Sequence, residues 1–168
     1  MSPWYYLLVP ALILLGIAQS TLVPFLRIAG LYPDLILILV AIWSLLRGYR
    51  EGTIWALVCG LVMDMLSGLP FGAHTLALLA VSLLMQAVRR QVYRLTFGAV
   101  LLLVALATLV YYGAVMFAAW AIAGESFAGD LLGRVILPAA LLNAAVAAVV
   151  FWPLRWFHQM TGEQEMGW

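Results

Sequence analysis

Asp64 is the residue whose setting points most directly to chemistry. It is a carboxylate inside an apolar run, Gly60-Leu61-Val62-Met63-Asp64-Met65-Leu66-Ser67-Gly68. An ionisable group at membrane depth costs a few kcal/mol unless it is paired or hydrated. Gly52, Ala56, Gly60, Asp64 and Gly68 recur at four-residue steps, so on a helix they share one slowly drifting face. Small residues on such a face admit a second backbone at close range. Two roles are open to Asp64. As a structural lock it accepts from the amides that open the next helix near Gly72, from Ser67 or His74, or pairs with Arg27 or Arg134. As a ligand or proton site it calls for further ionisable groups at depth, and the sequence offers none. The structural role therefore carries more weight.

A second polar group is Gln19-Ser20-Thr21, and a third is His74-Thr75. With Asp64 these could line one shallow external cavity, for which Gln19 and His74 are the candidates. The competing reading is ordinary hydrogen bonding between helices. Asn143 lies among Ala139, Ala140, Ala144, Ala147 and Ala148, a setting for tight packing and a register-setting hydrogen bond. Arg89, Arg90 and Arg94 suit either anionic lipid headgroups or a topology signal. Cys59 is the one cysteine, so no internal disulfide forms, and two histidines do not make a usual zinc site. Ser67 lacks a nucleophile-elbow context, and one membrane Asp cannot form a carboxylate pair. HExxH, P-loop and dinucleotide motifs are missing. No enzyme activity, cofactor, metal or nucleic-acid partner is expected.

These residues must be positioned by membrane helices. Hydrophobic residues make up 67% of the 168, and charged residues 9%, too few to cover a soluble surface. A bilayer core about 30 Å thick needs roughly 20 mainly apolar residues per helix. The apolar runs predict an all-α, polytopic bundle of six transmembrane helices in a single integral membrane domain. The spans are expected at about 4–24, 33–46, 52–67, 73–88, 95–123 and 131–156. A five-helix reading merges segments and buries charge, so it ranks second. Met1 to Tyr6 has no Lys or Arg, so the first run is expected to stay as a membrane helix and not to be a leader.

The second span opens with Pro33 in its first turn and Asp34 at the positive end of the helix dipole. It is short, so it must sit in a thin region, borrow its flanks, or be buried among its neighbours. Arg47, Arg50 and Glu51 form a charged connection around Gly48 and Gly52, and residues 68–72 form a tight glycine/proline turn. Asp130 is the expected N-cap of the sixth span, with Arg134 one turn on. The fifth span exceeds the bilayer core and suggests tilt. With no lysine present, six of the eight arginines (47, 50, 89, 90, 94 and 155) fall on one side. The positive-inside rule then puts both termini in the cytoplasm. Trp4, Tyr5, Tyr6, Trp152 and Trp156 fit an aromatic belt on that side.

Residues 33–90 resemble the MreD family, the integral membrane subunits of the bacterial rod-shape machinery. The resemblance is carried by Pro33-Asp34 and the apolar run after it, Arg47-Gly48, Glu51-Gly52, the stretch from Gly60 through Asp64 to Gly68, and Phe71-Gly72. Residues 60–72 look like the family's G-x-x-x-D-x-x-x-G turn, and length and helix number match over the whole chain. The resemblance implies a bacterial inner-membrane protein similar in organisation to the substrate-binding subunits of energy-coupling-factor transporters. It implies association with MreC, a bitopic protein. It also implies an assembly with the elongation-specific penicillin-binding transpeptidase, the glycosyltransferase RodA and MreB filaments.

The function expected is therefore a non-enzymatic scaffold of the cell-elongation complex. Pro33, Asp34, Gly60, Asp64, Gly68 and Gly72 serve as structural or interaction residues, with membrane lipids as further partners and homo-oligomers compatible with the glycine and alanine faces. The alternative is a small-ligand-binding subunit of a vitamin-type transporter. Against it, Ala11 is followed four residues on by Leu15, which lacks the alanine spacing typical of those subunits' first helix. A third reading, a lipid-modifying membrane enzyme, predicts activity lost in Asp64→Asn with folding retained.

Overall fold

The computed structural model describes residues 10, 13, 14, 16, 17, 19, 21, 32–91, 96–124 and 132–161. All described residues before Tyr32 are helical and fall inside the first expected span. Five α-helices follow: α1 (Leu35–Arg47), α2 (Tyr49–Leu66), α3 (Ala73–Gln91), α4 (Phe97–Ala123) and α5 (Leu137–Thr161), with a π-helical turn, Leu132–Ile136, leading into α5. No strand occurs among the described residues.

Local chemistry sets these boundaries. Asp34 is the N-cap of α1 and its carboxylate accepts from the Leu37 amide, the usual reach of a capping side chain. Pro33 therefore lies just outside the helix and not in its first turn. Arg47 ends α1, Gly48 adopts φ +83°, and α2 begins at Tyr49. The expected charged connection is thus a single glycine, because only a residue without Cβ takes that backbone angle at little cost. Helix α2 starts three residues before the expected Gly52, so Arg50 and Glu51 fall in its first turn. Helix α3 runs past Val88 to take in Arg89 and Arg90, cations that suit the negative end of its dipole. Helix α4 ends at Gly124, in the left-handed region with φ +66°, whose amide donates to the Trp120 carbonyl.

The sixth expected span starts irregularly. Pro138 has no N–H for the carbonyl one turn back, which favours the widened π turn before it. Asp130, expected as the N-cap, lies outside the described residues, as do Arg27, Arg94 and Ser20. At its far end α5 continues to Thr161, beyond Trp156.

The short helix is the centre of the molecule. Nine of the 13 residues of α1 are buried, and it packs against α2, α3, α4 and α5. At about 1.5 Å per residue it is roughly 20 Å long, against about 30 Å for a bilayer core. Of the three solutions open to a short span, it uses enclosure by its neighbours. By contrast, 97–122 and 133–159 are helical stretches long and apolar enough to cross a membrane. Their outer faces expose Leu102, Leu106, Phe117, Leu141 and Val149, as expected of helices that meet lipid.

Candidate functional site

Helix α3 begins after Gly72, whose carbonyl accepts from Leu76 and whose φ is +99°. A glycine cannot cap with a side chain, so the first amides of α3 need another acceptor. Asp64, on the preceding helix, supplies it. One carboxylate oxygen accepts from the His74 amide at 2.8 Å; the other accepts from the Thr75 amide at 3.1 Å and from Thr75 Oγ1 at 2.5 Å. Asp64 is 4% exposed. A carboxylate at the positive end of a helix dipole is also favoured electrostatically. The donors are therefore the amides after Gly72 and the Thr75 hydroxyl; Ser67 Oγ is buried with no hydrogen-bond partner.

This reach requires the two helices to touch. A Cβ on Gly60 would collide with the Thr75 backbone, and one on Gly52 would come within 2.9 Å of the Ser44 backbone of α1. Ala56 is fully buried between these points. The small-residue face thus serves two neighbours, α1 at its start and α3 farther on. Gly68 does not extend it: the residue lies past the end of α2, and a Cβ there would meet no described residue.

A second carboxylate repeats the arrangement at the start of α1. Asp34 Oδ1 accepts from Gln19 Nε2 at 2.6 Å and from the Leu37 amide at 3.2 Å, while Gln19 Oε1 accepts from the Ile36 amide at 2.6 Å. The Asp34 amide donates to Asn143 Oδ1 of α5 at 2.9 Å, and Asn143 Nδ2 donates to Thr108 Oγ1 of α4 at 3.2 Å. On α4, one turn from Thr108, the Tyr111 hydroxyl lies 2.7 Å from His74 Nδ1. Gln19, Asp34, His74, Thr108 and Asn143 are all buried. Gln19 and His74 thus belong to two separate clusters, which approach each other along α4.

Thr108 and Tyr111 were not singled out in the sequence. The available signal was a hydroxyl pair three residues apart in an apolar helix. Another missed cluster lies toward the opposite end, where Ser44 Oγ and Ser82 Oγ are 3.0 Å apart and Gln86 Nε2 donates to Ser82 Oγ at 2.7 Å. Beside it Trp43 stacks on Trp55 with centroids 4.4 Å apart, and its indole N–H donates to Glu51 Oε2. Arg47 pairs with Glu51 at 3.4 Å and lies over the Trp43 ring.

The arrangement is one of helix starts joined by buried acceptors. Residues 2–161 match the model of the family described as rod shape-determining protein MreD. The chain belongs to the MreD family. Searches of curated proteins and of solved structures give no significant match. Membership in MreD brings a role in determining rod shape and, with the two long apolar helices, a membrane setting. Both capping carboxylates, Asp34 at the start of α1 and Asp64 of α2 at the start of α3, lie within the matched residues of this MreD chain.

Proposed function

We propose that this chain is a non-enzymatic, six-span scaffold of the bacterial cell-elongation complex, forming a single domain in the inner membrane with both termini cytoplasmic. Its partner is an MreC-like bitopic protein, in an assembly with the elongation penicillin-binding transpeptidase, RodA and MreB. A kinship of fold with energy-coupling-factor substrate-binding subunits belongs to the same proposal and rests on size and helix number. The observation that carries the scaffold reading is that both buried carboxylates are spent on helix starts, Asp34 on that of its own α1 and Asp64 on that of the neighbouring α3. Gln19, His74 and Asn143 are likewise bonded within the protein, as expected of a rigid frame. Arginine placement supports the orientation, and the exposed apolar faces of α4 and α5 give partner helices a surface.

The test is purification of the intact membrane complex and identification of its proteins. A bitopic partner with an external coiled coil is expected. Recovery of a transporter ATPase with bound vitamin, and no such partner, would overturn the scaffold reading in favour of solute uptake.

A further inference from the structure

At the end where α1 passes into α2 lies a cleft with two arginines in its lining. It has a volume of about 240 Å³ and is lined by Gly48, Tyr49, Gln86, Arg89 and Arg90. Helix α2 starts there with no side-chain cap, so amides of its first turn have no acceptor within the helix and carry the positive end of its dipole. Glu51 is the one carboxylate among the described residues at this end, and it is engaged by Trp43 and Arg47. Arg89 and Arg90 form no ion pair among the described residues. The bare α-carbon of Gly48 leaves room for the Arg89 guanidinium, which a Cβ would strike.

The lining also holds a buried acceptor without a partner. Gln86 is 5% exposed, and its Oε1 is buried with no hydrogen-bond partner, while Nε2 donates to Ser82 and Thr53. A buried acceptor left unpaired is uncommon in a settled fold. Beside a phosphate it would be repelled by the anion itself, but it would accept from a hydroxyl carried next to that anion. The level of the cleft fits a lipid source: Tyr49 is exposed at its rim, and Trp152 and Trp156 are exposed on α5 near the same end, the belt expected at a headgroup layer.

We infer that this cleft binds the headgroup of an anionic glycerophospholipid. The phosphodiester sits between Arg89, Arg90 and the start of α2, and a headgroup hydroxyl donates to Gln86. Phosphatidylglycerol has this chemistry, whereas phosphatidylcholine has neither net negative charge nor a headgroup donor. The inference needs no protein partner and stands apart from the scaffold reading.

The full-length protein in detergent is titrated with phosphatidylglycerol, phosphatidylcholine and inorganic phosphate, and followed by native mass spectrometry and thermal melting. Phosphatidylglycerol is expected to bind and raise the Tm. The Arg89→Gln/Arg90→Gln variant should lose about tenfold or more in that affinity, with its lipid-free Tm lowered slightly by the loss of two cations from the last turn of α3. The control pair Arg50→Gln/Arg155→Gln removes equal charge from the same end outside the cleft and should bind as wild type. Gln86→Leu should weaken phosphatidylglycerol and leave phosphatidic acid, which has no headgroup alcohol, unaffected. Equal loss in both arginine pairs would overturn the site in favour of diffuse charge attraction. Binding of inorganic phosphate without phosphatidylglycerol would overturn the lipid assignment.

Discussion

Asp64 acts on a neighbouring helix and not on a substrate, and that makes its variants informative. Asp64→Leu leaves the His74 and Thr75 amides without their acceptor inside the protein, at about 1–3 kcal/mol for each unpaired group. Asp64→Asn keeps one carbonyl acceptor and is expected to cost less. Thermal melting in detergent should rank wild type above Asn and Asn above Leu. Wild-type melting of both variants would remove the capping role. The glycines separate in the same way. Gly60→Ala drives a methyl group into the Thr75 backbone and should destabilise by about 1–3 kcal/mol. Gly68→Ala meets no neighbour among the described residues and should melt close to wild type.

Between elements, the decisive joins are helix starts. Those of α1 and α3 each receive a buried carboxylate, and α1 is further tied to α5 through Asn143. Asn143→Leu removes the acceptor of the Asp34 amide and is expected to cost about 1–3 kcal/mol, read as a lower melting point and faster proteolysis around α5. The reversal at Gly48 is a second join. Gly48→Ala places a side chain at φ +83° and against Arg89, and should lower the melting temperature more than Gly124→Ala, where the added methyl meets no neighbour among the described residues. Much of this could be read in advance. Apolar runs located the helices α1 to α4 to within about three residues, and Asp64 stood out because a carboxylate has few comfortable places in an apolar helix. The partners of Asp34 were not legible, since Asn143 is 109 residues away and only tertiary packing brings it near. The one-residue link at Gly48 was hidden as well. Arg50 and Glu51 look like loop residues, yet they sit in the first turn of α2 with Glu51 held by Trp43 and Arg47.

For the whole molecule, the proposed orientation places Tyr49 and Gly124, both exposed, on opposite sides of the membrane. In a Cys59→Ala background, single cysteines at these positions should react with an impermeant thiol reagent from opposite faces of the cell membrane. Labelling of both from one face would refute the six-span arrangement. The enclosure of α1 also bears on how the protein is made. Synthesis runs from the N-terminus, so α1 leaves the ribosome ahead of all four helices that come to surround it. Too short to bridge the lipid comfortably alone, it has to be retained in a sheltered or shallow position until α5 arrives. Assembly order therefore differs from chain order, and a nascent chain arrested before α4 should hold α1 in a protease-sensitive state that the finished protein never shows.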